Sequence, residues 1–144
     1  MRVIDILRHK GHDVTTIRPD ASVEEAVQLL ADRGIGAVVV SEDGSTVQGV
    51  LFERDVIRHL SRAGREGMDT PVERVMTTDI RLCGSNDSVE DLMRTMTLTR
   101  LRHLPVTEDG QLFGIVSIGD VVERRLDELE HEQEHLRLYI QTGR

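Results

Sequence analysis

Aromatic side chains are almost missing from this 144-residue chain, which has no tryptophan, one tyrosine (Tyr139) and two phenylalanines (Phe52 and Phe113). Its core must therefore be aliphatic, and a surface that grips single-stranded nucleic acid by stacking bases on rings is excluded. Acidic residues outnumber basic ones 26 to 18, and the formal net charge of −8 argues against nucleic acid or an anionic membrane as a partner. Lys10 is the single lysine among the basic residues, the rest being arginine. One cysteine, Cys83, cannot close an intrachain disulfide, and no Cys/His set has structural-zinc spacing. No run approaches the roughly 18 apolar residues of a membrane span. The segment Met1-Arg2-Val3-Ile4-Asp5-Ile6-Leu7-Arg8 is charged where a secretory leader is apolar. The expectation is a reduced, cytoplasmic protein of one domain or one pair of small repeats.

The chain repeats itself. Ser22-Val23-Glu24 recurs as Ser88-Val89-Glu90, and Val40-Ser41-Glu42-Asp43-Gly44 as Val106-Thr107-Glu108-Asp109-Gly110, both 66 residues later. Gly49-Val50-Leu51 with Asp55 recurs as Gly114-Ile115-Val116 with Asp120, 65 residues later. Val3-Ile4-Asp5-Ile6-Leu7 resembles Val72-Glu73-Arg74-Val75-Met76. Ordered matches at nearly one offset mean two copies of one unit.

Each copy reads β-α-β-β-α. A short apolar segment (14–17; 80–82) precedes a helix. Ser22, three residues before Glu25, opens the first helix as a cap, Ala26, Val27, Leu29 and Leu30 form its apolar face, and Gly34 ends it. The second copy runs from Ser88 to about residue 97, with Leu92, Met93 and Met96 expected inward. Ala37-Val38-Val39-Val40 has the β-branched run of a strand buried on both faces. Asp43-Gly44 and Asp109-Gly110 are expected as hairpin turns. Second strands (47–51; 112–116) and second helices (53 to about 63; 118 onward) follow. The expected class is α/β (α+β), with repeat 1 over 1–62, a linker over 63–71, repeat 2 over 72–125 and a helical extension over 126–144. Neither unit hides both faces of three strands alone, so the two are expected to pack by pseudo-twofold symmetry and leave paired clefts.

One cleft carries chemistry. Gly114-Ile115-Val116-Ser117-Ile118-Gly119-Asp120 lies where a strand passes into a helix. Free backbone N–H groups at the helix start attract an anion. The Ser117 hydroxyl and the Asp120 carboxylate add groups suited to a phosphate and a ribose. Arg100-Leu101-Arg102-His103-Leu104-Pro105-Val106 leads cations directly into a buried strand, within reach of a phosphate.

The repeat, the Leu104-Pro105-Val106 strand, the Gly-x-x-Ser-x-x-Asp turn and the Val72-Glu73-Arg74-Val75-Met76-Thr77 lead-in together resemble a tandem pair of cystathionine-β-synthase (CBS) domains, over about residues 1–125. The tail resembles that of the stand-alone bacterial and organellar members, which carry no attached enzyme. The resemblance implies a non-catalytic regulatory sensor of an adenosyl ligand (AMP, ADP, ATP, NAD or S-adenosylmethionine) that needs no metal. It also implies a homodimer and a regulated partner protein that the sequence does not name. Ser117 and Asp120 match the family's ribose-phosphate motif, Arg102 and His103 match positions that often touch phosphate, and Ile80 and Arg81 match the strand that often borders the base. Arg100, Leu104, Pro105 and Val116 flank these positions and are expected with them among the ligand-binding residues.

The first copy departs from the pattern. Phe52 stands where the motif has Ser or Thr, and Gly36-Ala37 stands where the second copy has Arg102-His103. Asp55 remains for a ribose and Arg54 for a phosphate, and Gly36 and Ala37 are expected beside them at the ligand. The expectation is one strong site at Ser117 and Asp120 and one weak or empty site, or a dinucleotide spanning both. The other reading is a dimeric scaffold with vestigial clefts.

Two further patterns stand in the tail. His131-Glu132-Gln133-Glu134-His135 matches H-E-x-x-H, the zinc-hydrolase pattern, but its surroundings are almost wholly charged and no third ligand is evident, so a solvated helix face is expected. Leu126, Leu129, Gln133, Leu136 and Ile140 recur at alternating spacings of 3 and 4, a heptad seam expected to meet a second chain. Gly34-Ile35-Gly36 lacks the third glycine of a dinucleotide fingerprint, and Cys83 reads as core filler.

Overall fold

The computed structural model describes residues 1–142. In chain order it contains α1 (Val3–Lys10), β1 (Thr16–Ile17), α2 (Val23–Arg33), β2 (Ala37–Val40), β3 (Gly49–Phe52), α3 (Glu53–Ala63), β4 (Cys83–Gly84), α4 (Val89–Thr99), β5 (His103–Glu108), β6 (Gln111–Ser117) and α5 (Ile118–Thr142). Two 3₁₀ turns, Gly64–Asp69 and Val72–Arg74, join the halves. Each half forms a three-stranded sheet, β1-β2-β3 or β4-β5-β6, whose first pair is parallel and second antiparallel. The β-α-β-β-α order therefore occurs twice.

Local chemistry accounts for the element ends. Ser22 Oγ accepts the Glu25 N–H at 3.1 Å, and Ser88 Oγ accepts the Asp91 N–H at 3.1 Å, so α2 and α4 start at equivalent capping serines. Gly34 closes α2 in the left-handed conformation at φ 62°, ψ 38°. The strand Ala37–Val40 is buried at every position, on both faces.

The halves are not separate along the chain. Val3, Ile6 and Leu7 of α1 pack into the core of the second half with Val89, Leu92, Leu104 and Val116. Val72, which opens the second half, packs with Val23, Val38 and Leu51 of the first. The lead-ins cross over. The Val3 N–H donates to the Asp87 carbonyl at 2.9 Å, whereas the Val72 N–H donates to the Ala21 carbonyl at 2.8 Å. Glycine permits both crossings. A methyl group at Gly114 would stand 2.8 Å from Leu7 Cδ2, and one at Gly49 would stand 2.7 Å from Met76 Sδ. Ala37, Val50 and Phe52 of the first half share the core of the second, which seals the interface between units.

Four features differ from expectation. Residues 3–10 form a full helix, α1, which the reading of the sequence did not include. The Asp43-Gly44 pair does not make a tight hairpin, because residues 41–48 all lie between β2 and β3. Asp43 instead organises that loop, its Oδ1 accepting the Ser45 and Thr46 N–H groups at 2.8 Å each. The Thr46 and Ser45 amides hold its pKa at about 2. Asp109-Gly110, by contrast, is the whole connection between β5 and β6, with both residues left-handed (φ 52° and 77°). The strand expected over 80–82 is β4, at Cys83–Gly84, and Met93 is exposed while Leu92 and Met96 are buried.

Candidate functional site

The start of α5 is a reciprocal cap. The Asp120 N–H donates to Ser117 Oγ at 3.1 Å, and the Ser117 N–H donates to Asp120 Oδ2 at 2.8 Å. Asp120 Oδ2 also accepts Lys10 Nζ at 2.7 Å, and Lys10 Nζ donates in addition to the Ile115 carbonyl at 2.9 Å. Burial pulls the Asp120 pKa upward, but the Lys10 hydrogen bond, the Ser117 amide and the Lys10 charge outweigh it and hold the carboxyl below its ordinary range.

The first half repeats this arrangement with different donors. The Phe52 N–H donates to Asp55 Oδ2 at 3.0 Å, and Thr77 Oγ1 donates to the same oxygen at 2.9 Å. Each carboxylate is thus held by the backbone three residues earlier and by a side chain from the crossing lead-in, Lys10 in one case and Thr77 in the other. Phe52 has no hydroxyl, so the α3 cap is one-sided.

Two adjoining cavities open between the halves. One, of about 310 Å³, is lined by Gly36, Phe52, Glu53 and Arg54 from the first half and by Arg100, Arg102 and His103 from the second. The other, of about 650 Å³, shares Gly36, Glu53, Arg102 and His103 and adds an apolar wall that includes Val27, Leu30, Ile35 and Val56. Three guanidinium groups meet here in an acidic protein, and among the described residues none of them enters an ion pair. Arg54 lies over the buried Phe52 ring, 5.3 Å from its centroid, and the His103 ring lies 6.4 Å from the same centroid. Burial disfavours the charged imidazole, and the Lys10 charge adds to that, so the His103 pKa lies below its ordinary value despite Asp120 and Glu53 nearby.

Arg100 reaches this cavity from a costly backbone position. It caps α4 at φ 58°, ψ 22°, the left-handed conformation that Gly34 supplies in the first copy. For a residue with a Cβ that conformation costs roughly 1–2 kcal/mol.

The structure therefore redistributes the residues singled out in the sequence. Arg100, Arg102 and His103 join Arg54 and Gly36 in one cavity, although the repeat alignment places them at equivalent positions of opposite clefts. Ala37 borders that cavity only through its neighbour Gly36, and is itself buried in the core. Asp120 lines a separate cavity of about 240 Å³ with Ile6, His9, Lys10, Glu123 and Arg124. Ser117 pairs with His103 across β5 and β6 and lies between the two places. Leu104, Pro105 and Val116 are buried, and neither Ile80 nor Arg81 lines these cavities. Asp55 is spent on Phe52 and Thr77. Sequence reasoning missed Glu53 and Lys10. Comparison of the copies carries a signal for Glu53, since Glu53-Arg54 stands where the second copy has Ile118-Gly119. His131 and His135 are exposed on α5, and among the described residues no three His, Cys, Asp or Glu side chains are grouped to hold a metal. No helix of the described residues is long and apolar enough to cross a membrane.

The profile of the CBS domain matches this chain twice, over residues 3–62 and 72–127. The chain belongs to the CBS domain family. As a CBS domain pair it is 33% identical over 149 residues to the mitochondrial CBS domain-containing protein CBSX3 of Arabidopsis thaliana, covering 98% of this chain and 72% of that one. The crystal structure of the CBS-domain protein ATU1752 of Agrobacterium tumefaciens superposes at TM-score 0.82 with 42% identity, covering 86% of this chain and 92% of that one. The crystal structure of CBSX2 in complex with AMP superposes at TM-score 0.73 with 27% identity, covering 88% of this chain and 96% of that one. The mixed α/β pair of three-stranded sheets expected from the sequence is the CBS-pair fold.

Proposed function

We propose that this CBS pair is a non-catalytic regulatory module that binds an adenosyl nucleotide between its repeats and reports occupancy to a partner protein. The observation that carries the reading is the cationic cavity of Arg54, Arg100, Arg102 and His103, contributed by both halves and adjoining an apolar wall. A phosphate suits the guanidinium groups, which offer planar pairs of N–H donors. Glu53 lines both cavities and suits ribose hydroxyls. Val27, Leu30, Ile35 and Val56 suit a base. CBSX2, solved with AMP, supports the ligand class. A bound nucleotide touches both halves and so couples their relative position to its concentration. Asp120 is the second candidate position, and a ribose there competes with Lys10.

The test is a thermal-shift panel on nucleotide-stripped protein with AMP, ADP, ATP, NAD(H) and S-adenosylmethionine. Ligand at 100 times its dissociation constant stabilises by about 2.7 kcal/mol, and each kcal/mol moves the midpoint by roughly 2–8 °C at this size. The expected result is a shift with an adenosyl ligand that Arg102→Ala abolishes and Asp120→Asn leaves largely intact. Loss on Asp120→Asn alone moves the ligand to the Lys10 cavity. No shift with any ligand favours the scaffold reading, which rests on both carboxylates being engaged by protein donors.

A further inference from the structure

We propose that α5 pairs with α5 of a second copy of this chain as a parallel, in-register two-stranded coiled coil. The inference is independent of any nucleotide. The helix runs 25 residues, about 37 Å. Its first turns bury Val121 against the domain, whereas residues 131–142 are exposed throughout. The heptad seam is Val122, Leu126, Leu129, Gln133, Leu136 and Ile140. Its five apolar members are between 45% and 71% exposed. At about 100° per residue the seam faces roughly a quarter-turn away from Val121, so a second helix can lie on it without displacing the domain.

Charge and one polar residue select the occupant. With Leu126, Gln133 and Ile140 at the a positions, the flanking g positions are Arg125, Glu132 and Tyr139 and the e positions are Glu123, Glu130 and Arg137. In a parallel, in-register pair each g residue faces the e residue five positions on in the other helix. Arg125 then meets Glu130, and Glu132 meets Arg137, both with opposite charge. Arg125 is held at 2.8 Å by Glu128 of its own helix, so Glu132 with Arg137 is the freer pair. The antiparallel alignment that keeps Leu126 through Leu136 in the seam brings Glu130 against Glu130 and Glu132 against Glu132, which offset its two Glu123–Arg137 pairs, whereas the parallel pair has opposite charges only. Any antiparallel alignment also seats Gln133 opposite an apolar d residue. Parallel pairing places Gln133 beside its own copy, where the two amides hydrogen-bond. A single polar a residue is a known determinant of register and strand number. The surface therefore matches its own copy in one orientation.

The orientation is tested in the full chain with Ile140→Cys. The native Cys83 is buried, and burial together with the Asp87 charge pushes its thiol up to about 12, so it stays silent. Under mild oxidation at micromolar concentration, most of the Ile140→Cys chain is expected to run as a disulfide-linked dimer on a non-reducing gel. Adding Leu136→Asp should cut cross-linking at least tenfold. The domain itself should keep its unfolding midpoint, because Leu136 is 60% exposed. Glu132→Arg should weaken cross-linking, and Glu132→Arg with Arg137→Glu should restore it. These two residues lie about 140° apart on one helix, so the rescue acts between helices. Absence of a dimer, indifference to Leu136→Asp, or a double charge variant no better than the single one overturns the proposal.

Discussion

Arg100 keeps a backbone conformation that its counterpart in the first copy leaves to glycine. Relaxing the strain and removing the guanidinium should therefore have opposite effects. Arg100→Gly is expected to stabilise the fold by up to about 1 kcal/mol, read as a raised urea midpoint, while weakening nucleotide binding. A variant that is less stable, or that binds as well as the parent, would detach the strain from function. His103 sets the pH response of the same cavity. Its folded pKa lies below the ordinary value, so its contribution to stability is complete above about pH 6.5 and is lost as pH falls toward the folded pKa. A phosphate beside the ring favours the charged form. Binding of NAD, whose phosphodiesters do not titrate near pH 6.5, should therefore take up a fraction of a proton at that pH, seen as a dependence of calorimetric heat on buffer ionisation enthalpy. His103→Asn should abolish that dependence.

At the scale of elements, the two crossings are the places where one added methyl is felt most. Gly49→Ala and Gly114→Ala are each expected to destabilise by about 1–3 kcal/mol in urea unfolding. Gly49→Ala should cost more, because its Cβ would also stand 2.9 Å from the Thr77 carbonyl, which accepts the Val50 N–H. The obstacle at Gly114 is the tip of one leucine. Equal sensitivity would mean that the lead-ins yield more readily than their packing suggests. The helices α2 and α4 and the strand β2 were legible because caps, glycine and β-branched runs act within a few residues. The Asp43-Gly44 loop was not. The same dipeptide serves a two-residue turn at Asp109-Gly110 and an eight-residue loop in the first copy, where the carboxylate binds the next amides instead. Helix α1 was also missed, although Val3, Ile6 and Leu7 have helical spacing, because what they pack on lies more than 80 residues away.

For the whole molecule, duplication made the architecture readable and divergence made the site only half readable. The spacing of the repeat announced two units and a shared interface. It also announced that Arg102 and His103 differ from Gly36 and Ala37. It did not show that these cations would face Phe52 and Arg54 across the interface, since the cleft is composed of both halves and an alignment of one copy on the other keeps them apart. Lys10 against Asp120 is a contact of the same kind, made by a lead-in that left its own unit.

That exchange has a consequence for synthesis. Lys10 and the Ile115 carbonyl are 105 residues apart in the chain. Helix α1 is translated well before its seat on β6. At roughly 5–20 residues per second it waits on the order of 5–20 s. Throughout that interval Val3, Ile6 and Leu7 have no core to enter. The nascent first half cannot close either until Val72 arrives. Docking of α1 thus waits on β6, and closure of the first half waits on Val72.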